Sequence, residues 1–151
     1  PPVRVKVLGD GPDREKLEAL AVQLNAPVDF LGYTAYELMA AYLRASDITV
    51  NSLVKSAAQS IVTKIGDYLA SGNPMINTGS SPEFRAKVTA DGFGVNVEAE
   101  DAQALADAIA KLAGHASLRK IMGSKARAVA EKEFDQPRAY REIVDLLRTL
   151  L

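Results

Sequence analysis

Apolar residues recur along this chain in short blocks whose spacing alternates between two periods, and the alternation predicts the architecture. The run VRVKVLG, residues 3–9, is rich in β-branched residues and ends at a glycine, as a strand does. DREKLEALAVQLN follows, with Leu17, Leu20, Ala21 and Leu24 at helical spacing, and then the short apolar run VDFLG. TAYELMAAYLRAS places Leu38, Ala41 and Tyr42 on one helix face with Thr34 available as a cap, and DITVNS reads as a buried strand. Residues 59–71 read as the next helix, stopped by Gly72, with PMINT as the strand after it. SPEFRAKVTADG has Pro82 just inside a Ser81 start and Gly92 just past the end, and FGVNVE returns as strand. From Asp101 onward the strands cease: DAQALADAIAKLA, SLRKIMGSKARAVAEKEF and PRAYREIVDLLRTLL are consecutive helical stretches. Repeated βα units followed by helices alone predict an α/β protein with a Rossmann-like, doubly wound, mostly parallel sheet and a C-terminal helical tail.

Composition narrows this picture. A chain of 151 residues, 48% hydrophobic, can bury one sizeable core, and its length argues for a single domain over residues 1–151. The formal net charge is -1 and lysine and arginine are scattered, so no electrostatic case for nucleic acid exists. The absence of cysteine excludes disulfides and thiolate chemistry and is compatible with a reducing cytoplasm. His115 is the single histidine, which excludes a histidine-rich metal site. No apolar run reaches the length of a membrane span, and no signal peptide opens the chain. It begins PPVRV, without an initiator methionine and almost directly in a strand, so a fragment of a longer protein is expected.

In a doubly wound sheet, ligands sit beyond the carboxyl ends of the strands. That rule selects residues 9–13, 32–34, 51–60 and 78–83. GDGPDR has Arg14 where the dinucleotide fingerprint needs its third glycine, so that fingerprint fails; a lysine-bearing phosphate loop is also absent. A plain tight turn at Gly9 and Gly11 is the default. Ser56 followed by Gln59 has the spacing of a capping box. Ile61, Val62, Ile65, Tyr68 and Leu69 span an arc of roughly 120°, the face a helix buries against a sheet. Ser60, Thr63, Lys64 and Asp67 lie on the other arc. A solvated helix has the same spacing, so the pattern leaves water and ligand both open for this arc. The argument for a ligand is position, since the helix follows NSLVKSAA, a small-residue loop at a strand's carboxyl end.

Taken in order, VLGDGP, VDFLGY, LRASDITVNS, KIGDYLASGNPMINT, SPEF, DGFGVNVEAED and LADAIAKLA resemble the C-terminal, donor-binding domain of the retaining GT-B glycosyltransferases of family four, the group 1 glycosyl transferases. The resemblance runs through nearly the whole chain and implies the C-terminal half of a GT-B fold. The family's hallmark is an acidic pair eight residues apart, and its second position falls on Asp67, its first on Gln59. By resemblance Asp67 accepts the nucleotide's ribose hydroxyls and Gln59 contacts the donor sugar. The backbone N–H groups of Ser60, Ile61, Val62 and Thr63 match those that hold the distal phosphate and the sugar. The Leu31–Thr34 loop, with Gly32, Tyr33 and Thr34, matches the segment that frames the base, and Gly9 and Gly11 join the donor site at the first turn. Glu83 matches the glutamate of the loop after the next strand. Gln59 and Asp67 replace the usual pair of glutamates, a departure at both positions.

The implied activity is transfer of a sugar from a UDP- or GDP-linked donor to an acceptor hydroxyl with retained anomeric configuration. No cofactor and no metal are implied, because basic side chains and a helix N-terminus stabilise the departing diphosphate. No catalytic residue is assigned. The family's diphosphate-neutralising arginine and lysine precede the strand at residues 3–8, and the acceptor site belongs to an N-terminal domain. The fragment, lacking both and the first strand of its own domain, is therefore expected to be inactive alone. The family setting is bacterial surface polysaccharide or glycoconjugate synthesis in the cytoplasm, at the inner face of the membrane, with peripheral membrane association confined to the full-length protein. Two alternatives stay open: a non-catalytic or degenerate donor domain, suggested by Gln59, and a sugar-nucleotide epimerase of GT-B architecture. The epimerase would need carboxylates and histidines across its cleft, whereas His115 falls in the helical tail. Lys64 either approaches the phosphates or is solvated. The stripe Tyr140, Ile143, Val144, Leu147 and Leu151 covers either the absent domain or the sheet of its own.

Overall fold

The computed structural model describes residues 2–57 and 63–150. Its elements follow the predicted alternation: β1 Val5–Leu8, α1 Arg14–Gln23, β2 Val28–Gly32, α2 Tyr36–Ala45, β3 Thr49–Asn51, α3 Ile65–Ala70, β4 Met75–Asn77, α4 Pro82–Asp91, β5 Gly94–Asn96, and then α5 Ala102–Gly114, α6 Ala116–Glu133 and α7 Gln136–Thr149. The described strands pair in parallel, β1 with β2 and, in a separate ladder, β3-β4-β5. The chain divides into two compact units, Pro1–Tyr42 and Leu43–Leu151.

In the first unit the parallel register sets Lys6 opposite Asp29, with a shift between Val7 and Leu8 that brings Leu8 opposite Gly32. Asp29 pairs with Lys6 and, at 2.8 Å, with Arg4. These contacts hold its carboxyl below the usual range, the Lys6 hydrogen bond first and Arg4 second. The apolar spacing of α1 does not mark its inward face. Leu17, Leu20 and Leu24 are exposed, while Arg14, Glu18 and Ala21 are half-buried. The Arg14–Glu18 pair, joined at 2.7 Å, lies on the less exposed side of the helix, where matched charges lower the cost of partial burial. In α2 the inward side is Met39, Ala40, Tyr42 and Leu43, one position round from the predicted face for Leu38 and Ala41, which are exposed. Thr34 does not cap that helix: α2 begins at Tyr36, and the Thr34 hydroxyl donates back to Gly32 O at 3.2 Å.

In the second unit the strands align Thr49, Met75 and Gly94, then Val50, Ile76 and Val95, then Asn51, Asn77 and Asn96. Successive side chains on a strand face opposite ways, so Met75 and Ile76 enter different cores. Met75 joins Ile65 and Leu69 of α3, Phe84 and Val88 of α4, Phe93, and Ala126, Val129 and Ala130 of α6. Ile76 joins Val97 and, from α5, Ala108 and Leu112. Helices therefore cover both faces of a parallel sheet, the doubly wound arrangement.

The ends of α4 are those the sequence predicts: Ser81 Oγ accepts from Phe84 N at 3.3 Å, Pro82 opens the first turn, and Gly92 closes the helix at φ 67°. Among described residues α3 begins at Ile65, with Lys64 in the N-cap position and no side-chain cap; the predicted start at residue 59 lies outside the described residues. Gly72 stops it at φ 75°, as expected. The terminal α7 leaves Tyr140, Ile143, Val144 and Leu147 exposed, so it does not cover the sheet of its own unit. Leu151, the last member of that stripe, lies outside the described residues.

Candidate functional site

The carboxyl ends of the strands carry the polar chemistry of each unit. In the second unit β3, β4 and β5 each end in asparagine, and the three amides form a directed ladder. Asn51 Nδ2 donates to Asn77 Oδ1 at 2.8 Å, Asn77 Nδ2 to Asn96 Oδ1 at 2.9 Å, and Asn96 Nδ2 to Arg85 O at 2.8 Å. A backbone carbonyl can only accept, so Arg85 O fixes the sense of the whole ladder. Gly79 N, donating to Asn77 Oδ1 at 3.0 Å, fixes it again from the middle. Asn51 Oδ1 is left at the head, buried and without a donor. Thr78 ties the exit of β3 to β4: its N–H donates to Asn51 O at 3.0 Å, and its hydroxyl accepts from Leu53 N at 2.7 Å and donates to Leu53 O at 2.8 Å.

Asp67 stands in the first turn of α3, half-buried. Ile65 and Leu69, fully buried on the same short helix, anchor it in the core. The Phe134 ring closes over Gly66, where an added Cβ would lie 3.2 Å from it. Lys64 is not a solvated lysine. It is half-buried with its ammonium 5.7 Å from the Tyr68 ring centroid, and desolvation pulls its pKa down. Burial, and then the charge of Asp67, push the Tyr68 hydroxyl up. Thr63 is exposed at the start of this segment. Gln59, Ser60, Ile61 and Val62 lie outside the described residues, and with them the capping partner of Ser56. Glu83 is exposed in the first turn of α4.

In the first unit the predicted loop residues come together around one carbonyl. Gly32, at φ 69°, accepts on its oxygen from Gly9 N at 2.7 Å and from the Thr34 hydroxyl at 3.2 Å. Gly9 has φ 111°, and Gly11 N donates to Asp10 Oδ1 at 2.8 Å. Tyr33 is 89% exposed, presented outward by the turn. Beneath the turn lies Arg14, whose Nη1 would be 2.8 Å from a Cβ on Gly32.

Sequence reasoning missed two features here, the asparagine ladder and the seat that Arg14 makes for Gly32. The ladder had a signal: TVN, MIN and GVN are three strands with the same ending. Arg14 had one as well, as the residue that spoils the dinucleotide fingerprint. His115 joins α5 to α6, exposed, with Nδ1 2.7 Å from Lys111 O, a bond within the helical tail. Among the described residues no cluster of three or more histidine, cysteine, aspartate or glutamate side chains gathers to hold a metal, and no helix is long and apolar enough to cross a membrane.

A carboxylate in the first turn of an anchored helix can serve a ligand with paired hydroxyls, because it accepts on two oxygens. The sequence model of the family described as glycosyl transferases group 1 matches residues 1–115. The chain belongs to the group 1 glycosyl transferases. A curated glycosyltransferase of Methanocaldococcus jannaschii, MJ1069, itself uncharacterised, is 28% identical over 148 residues, covering 96% of this chain and 36% of its own. Among solved structures, HepE of Anabaena bound to UDP superimposes with a TM-score of 0.82 at 20% identity, over 99% of this chain and 42% of that one. The same protein has been solved with UDP-glucose. Sucrose-phosphate synthase of Thermosynechococcus elongatus gives 0.81 at 23%, over 97% of this chain and 38% of that one. At these identities the structures show the fold, which is the GT-B glycosyltransferase architecture. This group 1 member thus spans well under half the length of the relatives it matches.

Proposed function

We propose that this chain is the nucleotide-sugar-binding domain of a retaining glycosyltransferase. In the overall reaction the bond from the anomeric carbon to the diphosphate breaks, a bond to an acceptor oxygen forms with the same configuration, and the acceptor's proton is released. The observation that carries the reading is the family match over residues 1–115, with HepE complexes of UDP and UDP-glucose in support. In this reading Asp67 accepts the ribose hydroxyls, and Gln59 contacts the sugar without a charge. Backbone N–H groups of Ser60, Ile61, Val62 and Thr63 take the distal phosphate, and the turn at Gly9, Gly11 and Gly32–Thr34 frames the base. An N-terminal domain of the same protein supplies the acceptor site, and an arginine and a lysine that precede the strand at residues 3–8 neutralise the diphosphate, without a metal. The setting is bacterial surface polysaccharide or glycoconjugate synthesis, in the cytoplasm at the inner face of the membrane.

The test is an amide NMR titration with UDP, GDP and ADP in turn. Saturable shifts at Gly32–Thr34, Thr63 and Asp67 with one of them are expected. Asp67→Ala should weaken that binding by about 1–3 kcal/mol, the loss of a charged hydrogen bond. Equal binding by parent and variant would remove Asp67 from the site. Gln59 favours a second reading, a degenerate donor domain that binds but does not transfer. Turnover of any nucleotide sugar by the full-length protein eliminates it.

A further inference from the structure

Arg14 is committed on three sides. Its Nε donates to Glu18 Oε1 at 2.7 Å, Nη2 reaches Phe30 O at 3.5 Å, and Nη1 lies 3.7 Å from Asp10 Oδ2. It therefore joins the loop after β1, the first turns of α1 and the last residues of β2. The guanidinium also occupies the space that a side chain at Gly32 would fill. With φ 69° at Gly32 and its carbonyl held by Gly9 and Thr34, the turn is clamped from above by hydrogen bonds and seated from below on a rigid planar group.

We propose that Arg14 is the positioning residue that sets which nucleobase the Gly32–Thr34 turn accepts. This rests on the donor-binding reading, in which main-chain groups of that turn frame the base. Two carboxylates flank the single cation, so the local charge is negative and the guanidinium does not serve a phosphate. Its role is geometric. Main-chain N–H and C=O groups tell base edges apart only when they are held in place to within about 0.5 Å. A guanidinium fork fixes its neighbours in a plane, whereas a lysine offers a point charge on a flexible stem. The competing explanation, an ordinary helical ion pair worth a few tenths of a kcal/mol, predicts no effect on base choice.

In the full-length protein, which carries the basic residues that neutralise the diphosphate, the experiment compares the parent with Arg14→Ala and Arg14→Lys, measuring affinity for UDP, GDP, ADP and inorganic pyrophosphate, which has no base. The parent is expected to prefer one nucleotide by about tenfold or more, the lower end of what one base-edge contact discriminates. In Arg14→Ala the three nucleotides should come within about threefold of one another, pyrophosphate should bind as before, and Arg14→Lys should fall between. Before any ligand is added, the amide signals of Gly9 and Gly32–Thr34 should already have moved in the variants. An unchanged preference in Arg14→Ala overturns the proposal and leaves the donor reading standing. Equal weakening of all four ligands overturns it too, since that marks a purely structural role. A parent that binds no nucleotide overturns the donor reading itself and this proposal with it. Should Arg14→Ala not fold, Arg14→Lys and Glu18→Gln carry the same comparison.

Discussion

Asn77 has no exposed surface and engages both ends of its amide, accepting from Asn51 and Gly79 and donating to Asn96. Asn51, its neighbour in the ladder, is equally buried but leaves Oδ1 without a donor. Replacing either by leucine removes hydrogen bonds, yet the consequences differ. Asn77→Leu leaves Gly79 N, Asn51 Nδ2 and Asn96 Oδ1 without their partner, and we expect a loss of about 2–4 kcal/mol in urea unfolding. Asn51→Leu removes one bond together with an unmet acceptor, for an expected loss of about 1 kcal/mol or less. The reverse order would mean that Asn51 Oδ1 has a donor in solution, an ordered water for example. Asp29 sets a pH dependence at the same scale. Its folded pKa is lowered by Lys6 and Arg4, so its stabilisation is complete above the unfolded carboxylate range and is lost as pH falls through the folded value. Stability of the first unit should therefore decline below about pH 4, and Asp29→Asn should flatten that decline. An unaltered acid profile in Asp29→Asn would place the titration elsewhere.

Among the elements, α6 shows how a helix is placed by the absence of a side chain. A Cβ on Gly123 would lie 2.1 Å from Gly72 O, so α6 rests directly on the turn that ends α3, and Arg127 donates to Ala70 O at 2.8 Å beside it. Gly123→Ala must push α6 off this seat, and through it Ala126, Val129 and Ala130 in the core. We expect a destabilisation of about 1–3 kcal/mol, the range for overpacking a close contact. Thermal unfolding measures it, and a neutral result would show that the helix can slide without loss. Because the same turn follows the helix bearing Asp67, this variant should also weaken nucleotide binding. In α1 the apolar spacing does not mark the less exposed side. Arg14 and Glu18 cancel each other inward, and the leucines stay outside.

At the scale of the whole molecule, the second unit is a parallel sheet with helices on both faces, and the first is a smaller parallel pair with its own helices. The family match places this chain in the group 1 glycosyl transferases, and the structural neighbours share its fold. The stripe on α7 is exposed over its described length, and the chain spans only 36% of its curated relative. The nucleotide titration belongs at this scale, because it reads every amide of the chain at once. Saturable shifts with one nucleotide and not the others would name the base, and an absence of shifts at Asp67 would remove that residue from the site.

The order and type of the elements were legible in the sequence, as were the Ser81 and Gly92 ends of α4, the Gly72 stop and the apolar face of Ile65, Tyr68 and Leu69. Each depends on residues within a turn or two of one another, where spacing, capping and glycine conformation act directly. The family resemblance was legible for the same reason, being an order of local segments. The inward charge stripe of α1, the burial of Lys64 over Tyr68, the exposure of α7 and the direction of the asparagine ladder were decided by tertiary structure. Each of these depends on which residues distant in sequence come to lie opposite, and a single chain's periodicity is the same whether a face meets a sheet, a neighbouring helix or water.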